Sequence, residues 1–262
     1  MAVMKFNQEM RFKNLARGDV ALLDDRGLST FPTHFKLEEF FQQRPALNAV
    51  KDYGTPTNAQ IIAGDIANND FEVLGTNMTT ALCTFAVDGG VTLTTAGADN
   101  DQGIIAPHLN TNQTAWANVE WGTGKQTCFE ALIKTGASIA DVTIWAGLKL
   151  TNTSVVATDD NQVFFRYAAS GGTDFKLVNS RANVDVSSDT GIALAASTLY
   201  RLRIELDAGR RVNAYINGVQ VANNLAALTD AVNLIPYIGV HANTGSPKAI
   251  TAKYLGCSRQ AA

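Results

Sequence analysis

The sequence predicts an all-β protein, an antiparallel two-sheet sandwich preceded by an extended N-terminal arm that contains a short helix. Three observations carry that prediction. From about Phe71 onward, short runs rich in Val, Ile, Thr and aromatics are separated by clusters of Gly, Asn, Asp and Ser. No strand–helix–strand rhythm of a parallel sheet interrupts them. With 262 residues, of which 46% are hydrophobic, the chain can bury one large core.

The first fifty residues differ from the rest. They hold thirteen charged side chains, against thirty-two in the other 212 positions, and also six of the twelve phenylalanines: Phe6, Phe12, Phe31, Phe35, Phe40 and Phe41. A charged segment this aromatic is no solvated tail and needs a surface to lie on. Within it, Leu37, Phe40 and Phe41 fall at helical spacing, with Thr33 placed to cap and Pro45 to stop, which predicts a short helix over His34 to Arg44. Residues 51–70 mix Gly, Pro, Asn and Thr without a period and read as a connecting loop; the sandwich is expected over 71–262.

The strands follow in order: CFEALIKT from 128, TIWAGLKL from 143, QVFFRYAA from 162, FKLVNSRA from 175, YRLRIELD from 200, IPYIGVHA from 235 and ITAKYLGCS from 250. In the fifth, Tyr200, Leu202, Ile204 and Leu206 alternate with Arg201, Arg203 and Glu205, giving one buried and one wet face. Residues 207–211 turn the chain, and Asn217-Gly218 after VNAYI is a strong signal for a type I′ hairpin turn.

Several functions are excluded or demoted. A net charge of −3 provides no basic stripe for phosphates. The N-terminus has no apolar signal region and no stretch is long and apolar enough to span a membrane as a helix, which predicts a protein made in a cytoplasm. Cys83, Cys128 and Cys257 have neither a disulfide nor a metal-knuckle spacing and read as small core residues. GTGKQT at 122–127 lacks the leading Gly and the Ser or Thr after Lys that a phosphate loop requires, so it reads as a strand connection. His34, His108 and His241 have no ligand spacing. Glu205 and Asp207 could share a strand face as glycosidases need, but the pair reads better as a solvent residue beside Arg203 and a turn residue. Asp99, Asp101, Asp159 and Asp160 lie in polar loops without the spacing of a known calcium site. Asn-X-Ser/Thr triplets at Asn77, Asn112 and Asn152 are at chance level in so Asn- and Thr-rich a chain.

The run from Leu199 to Val221, with the later strands IPYIGVHA and ITAKYLGCS, resembles the concanavalin A-like jelly rolls, including laminin-G-type domains, over roughly Phe71 to Arg259. The combination VDGGVTLTTAGADNDQGIIAPHL (87–109), FEALIKTGASIADVTIWAGLKL (129–150) and NLIPYIGVHA (233–242) is similar to virion structural proteins of tailed bacteriophages, among them capsid decoration, or cement, proteins. That resemblance implies a non-enzymatic protein without cofactor or metal, located on the capsid surface after synthesis in the host cytoplasm. Its partners would be the major capsid protein and itself, as a closed trimer ahead of a dimer, with no nucleic acid and no membrane. On this reading Phe6, Phe12, Phe31, Phe35, Phe40 and Phe41 of the arm grip the capsid. The alternative is a lectin-like virion protein that binds glycan or receptor, with Trp116 and Trp121 as the rings that stack on sugar.

Overall fold

A computed structural model describes residues 34–41, 46–47, 71–107, 120–150 and 160–260. In chain order the strands are β1 (His34–Glu39), β2 (Ala46–Leu47), β3 (Phe71–Leu74), β4 (Cys83–Phe85), β5 (Val91–Thr94), β6 (Gln102–Pro107), β7 (Trp121–Gly122), β8 (Cys128–Thr135) and β9 (Val142–Lys149). They continue as β10 (Asn161–Ala168), β11 (Asp174–Arg181), β12 (Val184–Ala193), β13 (Leu199–Leu206), β14 (Val212–Ile216), β15 (Val219–Leu225), β16 (Asn233–Ala242) and β17 (Ala249–Gln260). They form two sheets. The back sheet has eight strands in the order β15-β14-β13-β8-β17-β5-β4, with β1 beside β17; the front sheet has nine, β12-β11-β10-β9-β16-β6-β3-β2, with β7 beside β16. Every pair is antiparallel except β2 with β3. The expected sandwich is therefore present, and no described helix is long and apolar enough to cross a membrane.

Alternation builds the core. On β8 and β13, Phe129, Ala131, Ile133, Leu202 and Ile204 are fully buried, and they meet Ile144, Ala146, Val163, Phe165, Ile238 and Val240 from the front sheet. Phe175 joins the layers, with edge-on rings of Phe165 at 6.3 Å and Tyr200 at 5.3 Å. Each buried Val, Leu, Ile or Phe among them contributes about 1.5–3 kcal/mol by leaving water. At the predicted hairpin, Asn217 (φ 52°) and Gly218 (φ 82°) both take left-handed conformations, as a type I′ turn between β14 and β15 requires.

The segment from His34 corrects one expectation. Where a helix was expected, residues 34–39 form β1, paired antiparallel with β17 from His34↔Gln260 to Glu39↔Leu255. The second half of β17 extends past β5 and would otherwise be an open edge; β1 satisfies its backbone groups. Leu37 is 2% exposed in the core, and Phe41, just past the strand, is 1% exposed with its ring 5.7 Å from Phe71. Those positions are helically spaced in sequence, but sheet pairing and core burial outweigh a weak local propensity. Residues 34–41 and 46–47 thus belong to the sandwich, whose boundary lies earlier than expected.

Candidate functional site

Register sets the outward side chains of the front sheet in rows. One row runs Leu74, Ile104, Gly239, Trp145, Arg166 and Lys176 across β3, β6, β16, β9, β10 and β11. The next runs Tyr237, Gly147, Phe164 and Val178 across β16, β9, β10 and β11, with Glu72 beside Ala106 on β3 and β6. Leu74, Ile104, Ala106, Trp145, Phe164, Val178, Ile235 and Tyr237 form a second buried apolar cluster, separate from the inter-sheet core. Two glycines make room for its rings: a Cβ at Gly239 would lie 2.5 Å from the Trp145 indole, and one at Gly147 2.4 Å from the Val163 carbonyl oxygen.

At one end of this face the chemistry changes. Gln102, His241 and Thr143 form the terminal row, and with Arg166, Asp141, Asn243, Asn100, Thr76, Ala169 and Ser170 they line an open groove of about 790 Å³. Period-two strands supply four of the ten: β6, β9, β10 and β16 each turn one polar residue outward here. Loops supply the rest. Asp101, 1% exposed, fixes one of them, accepting hydrogen bonds from Asn77 Nδ2 and the Ala98 N–H, both at 2.6 Å. The left-handed Asn100 (φ 67°) and Asp141 (φ 52°) set the rim.

The hydrogen bonding within the groove leaves specific capacity open. Asn243 Oδ1 accepts from Thr143 Oγ1 at 3.1 Å and lies 2.7 Å from His241 Nδ1. Because an amide oxygen only accepts, Nδ1 is the donor in that contact, and Nε2 is left for a further partner. Gln102 is 5% exposed, and its Oε1 is buried without a hydrogen-bond partner. Such an atom costs free energy until something donates to it. Arg166 is exposed and has no ion pair or hydrogen bond among the described residues. Several other described cations are paired, as in Arg201–Glu130 at 2.6 Å and Lys176–Asp189 at 2.6 Å.

Apart from His241, the residues singled out in the sequence are elsewhere. Phe6, Phe12, Phe31, Trp116 and His108 lie outside the described residues. Trp121 is on β7 and fully buried, so it offers no ring to a sugar. Of the arm phenylalanines, Phe41 is in the chain's own core, whereas Phe35 (39%) and Phe40 (45%) are exposed, Phe40 near the exposed Phe85 of β4 and Phe35 against the Arg259 guanidinium. Glu205 pairs with Arg203 on the wet face of β13, and Asp207 accepts from the Arg211 N–H at 2.8 Å in the turn. GTGKQT is a connection of β7, a 3-10 turn and the left-handed Gln126. No group of three metal-ligating side chains occurs among the described residues, and Cys83, Cys128 and Cys257 carry no disulfide. Cys83 and Cys257 are in the core as expected, whereas Cys128 is only partly buried on the outer face of β8, where desolvation pushes its thiol up to about 12.

Sequence reasoning passed over the groove. Its members stand singly in strands up to about 140 positions apart, and only the pairing of β6, β9, β10 and β16 gathers them. His241, read as an ordinary histidine, was the one residue of the groove that drew notice.

Comparison with known proteins agrees with this architecture. Residues 109–234 match the family model described as SO2946-like, C-terminal domain. The chain is similar in structure to a protein of unknown function, SO2946, from Shewanella oneidensis MR-1, with 11% identity and a TM-score of 0.62 over 99% of this chain and 96% of that one. It also resembles a Bacillus licheniformis β-glucanase (8% identity, TM-score 0.53, 84% of this chain and 96% of that). A third likeness is to the carbohydrate recognition domain of Emp46p (8% identity, TM-score 0.53, 81% and 94%). No curated protein matches. One of these neighbours is an enzyme and one a recognition domain, so what the likeness shows is the concanavalin A-like sandwich they share.

Proposed function

We propose that the chain is a non-enzymatic, lectin-like binding protein of the virion surface, which holds a saccharide in the groove at the end of the front sheet. The observation that carries this reading is the buried, unpartnered Oε1 of Gln102, beside His241, Asn243 and Asp141, in a groove of about 790 Å³. Such a collection of acceptors suits a ligand rich in hydroxyls. The virion setting rests on the sequence resemblance to phage structural proteins. A binding rather than catalytic role is favoured because Glu205 and Asp207, the carboxylate pair raised by the sequence, are engaged in an ion pair and a turn on the back sheet. Calorimetric titration with a panel of oligosaccharides tests it. Saturable binding that Gln102→Ala weakens, without release of cleaved product, is expected. Absence of binding to every saccharide by folded protein overturns it.

A second reading, decoration of a phage head as a homo-oligomer, draws on a different surface. Phe40 stacks on Tyr254 at 4.8 Å on the outer side of the back sheet, and with exposed Phe85 and half-buried Leu132 it forms an apolar spot able to meet a capsid subunit. Co-sedimentation with expanded heads lacking this protein separates the readings: a Phe40→Ser/Phe85→Ser variant should lose head binding and keep any saccharide binding.

A further inference from the structure

We propose that the ligand of the front-sheet groove is an acidic saccharide, a polyhydroxylated chain whose negative charge is a uronate carboxylate held by Arg166. This rests on the saccharide reading above and adds the charge. The groove makes two unlike demands on one ligand. Gln102 Oε1 lacks a donor, the Asp141 carboxylate adds acceptors, and His241 Nε2 adds one more polar group, all of which hydroxyls can satisfy. The Arg166 guanidinium, exposed and without a carboxylate among the described residues, offers a planar fork of donors that matches a carboxylate. A neutral sugar answers only the first demand, and a simple anion only the second.

The strand register keeps the charges of the groove apart. Arg166 of β10 pairs with Trp145, whereas Asp141 stands just before β9, four positions earlier. At about 3.3 Å per residue they are offset by about 13 Å along the strands, which leaves Asp141 for hydroxyls at one end and Arg166 for the carboxylate at the other. Gln102, His241 and Thr143 lie in the row between. A bound chain would therefore lie along the strands, with its acid group over Arg166.

Titration calorimetry of the full chain with three oligosaccharides of equal length, one of uronates, one neutral and one sulfated, tests this together with Arg166→Gln and Arg166→Lys. The expected result is preference for the uronate, weakened about tenfold or more by Arg166→Gln, partly restored by Arg166→Lys, and reduced by added salt. Unchanged melting of both variants shows that the loss is not unfolding. Equal affinity for the neutral oligomer, unaffected by Arg166→Gln, overturns the acidic assignment and leaves the saccharide reading standing. Preference for the sulfated oligomer overturns the carboxylate. Failure of all three to bind removes both readings.

Discussion

On the back sheet, the side chains turned from the core include Glu130, Leu132, Lys134, Arg201, Arg203, Glu205 and Tyr215, laced by ion pairs such as Arg201–Glu130 and Lys134–Asp88. On the front sheet the corresponding positions hold Leu74, Ile104, Trp145, Phe164, Val178 and Tyr237, all buried. Both sheets are antiparallel and share one core, so the contrast comes from what each second face touches. A face in water is satisfied by charge. A face withdrawn from water is filled with rings and glycines, and β9 is buried at all eight positions. The polar groove lies where that withdrawn face ends, which puts its charged and amide groups against a rigid apolar floor instead of a mobile ionic surface.

The largest test of that contrast is a pair of truncations. Trp145→Ala, on the outer face of the front sheet at 1% exposure, should cost about 3–5 kcal/mol, whereas Leu132→Ala, half-buried on the outer face of the back sheet, should cost under about 1 kcal/mol. Urea denaturation of both measures it. Similar small losses would mean that the front sheet's second face is not truly withdrawn from water.

The sequence displayed this contrast unevenly. LYRLRIEL alternates strictly and was readable as half-wet, and its burial follows that alternation. VTIWAGLK and NLIPYIGVHA are near-continuous apolar runs, and that continuity is itself the mark of burial on both faces. Trp121, by contrast, sits in a short polar stretch and looked available, yet β7 pairs with β16 and places it in the core. Arg166 drew no notice because nothing local distinguishes an unpaired arginine from a paired one; the difference lies in which strands are neighbours.

The edge of the back sheet supplies the next test. HFKLEEFF (34–41) carries both a helical spacing of Leu37, Phe40 and Phe41 and an alternation that buries Leu37 between Lys36 and Glu38, and only the open half of β17 decides between them. Leu37→Ala should therefore cost about 2–3 kcal/mol in thermal or urea unfolding, since it opens a core site. A segment that docked only on another molecule would lose binding with no change in the isolated protein's melting.

The smallest effect expected lies on the wet face, at the turn between β4 and β5. Asp88 is bracketed by Lys134 and Lys253, each with Nζ 3.1 Å from a carboxylate oxygen, and hydrogen bonding to Lys134 first and Lys253 second holds its pKa below the ordinary aspartate value. A carboxyl depressed on folding stabilises the fold above its unfolded value, near about 3.9, and loses that contribution as the pH falls through the lower folded value. Asp88→Asn should therefore be slightly less stable than wild type from neutral pH down to about 5, with the gap closing in stronger acid and shrinking in high salt. Lys253 also donates to the carbonyls of Asp88 and Gly89, at 2.7 and 3.1 Å, so the turn keeps its shape in the variant and the comparison isolates the charge. A gap that widened in acid would place the stabilising interaction in a group other than this carboxylate.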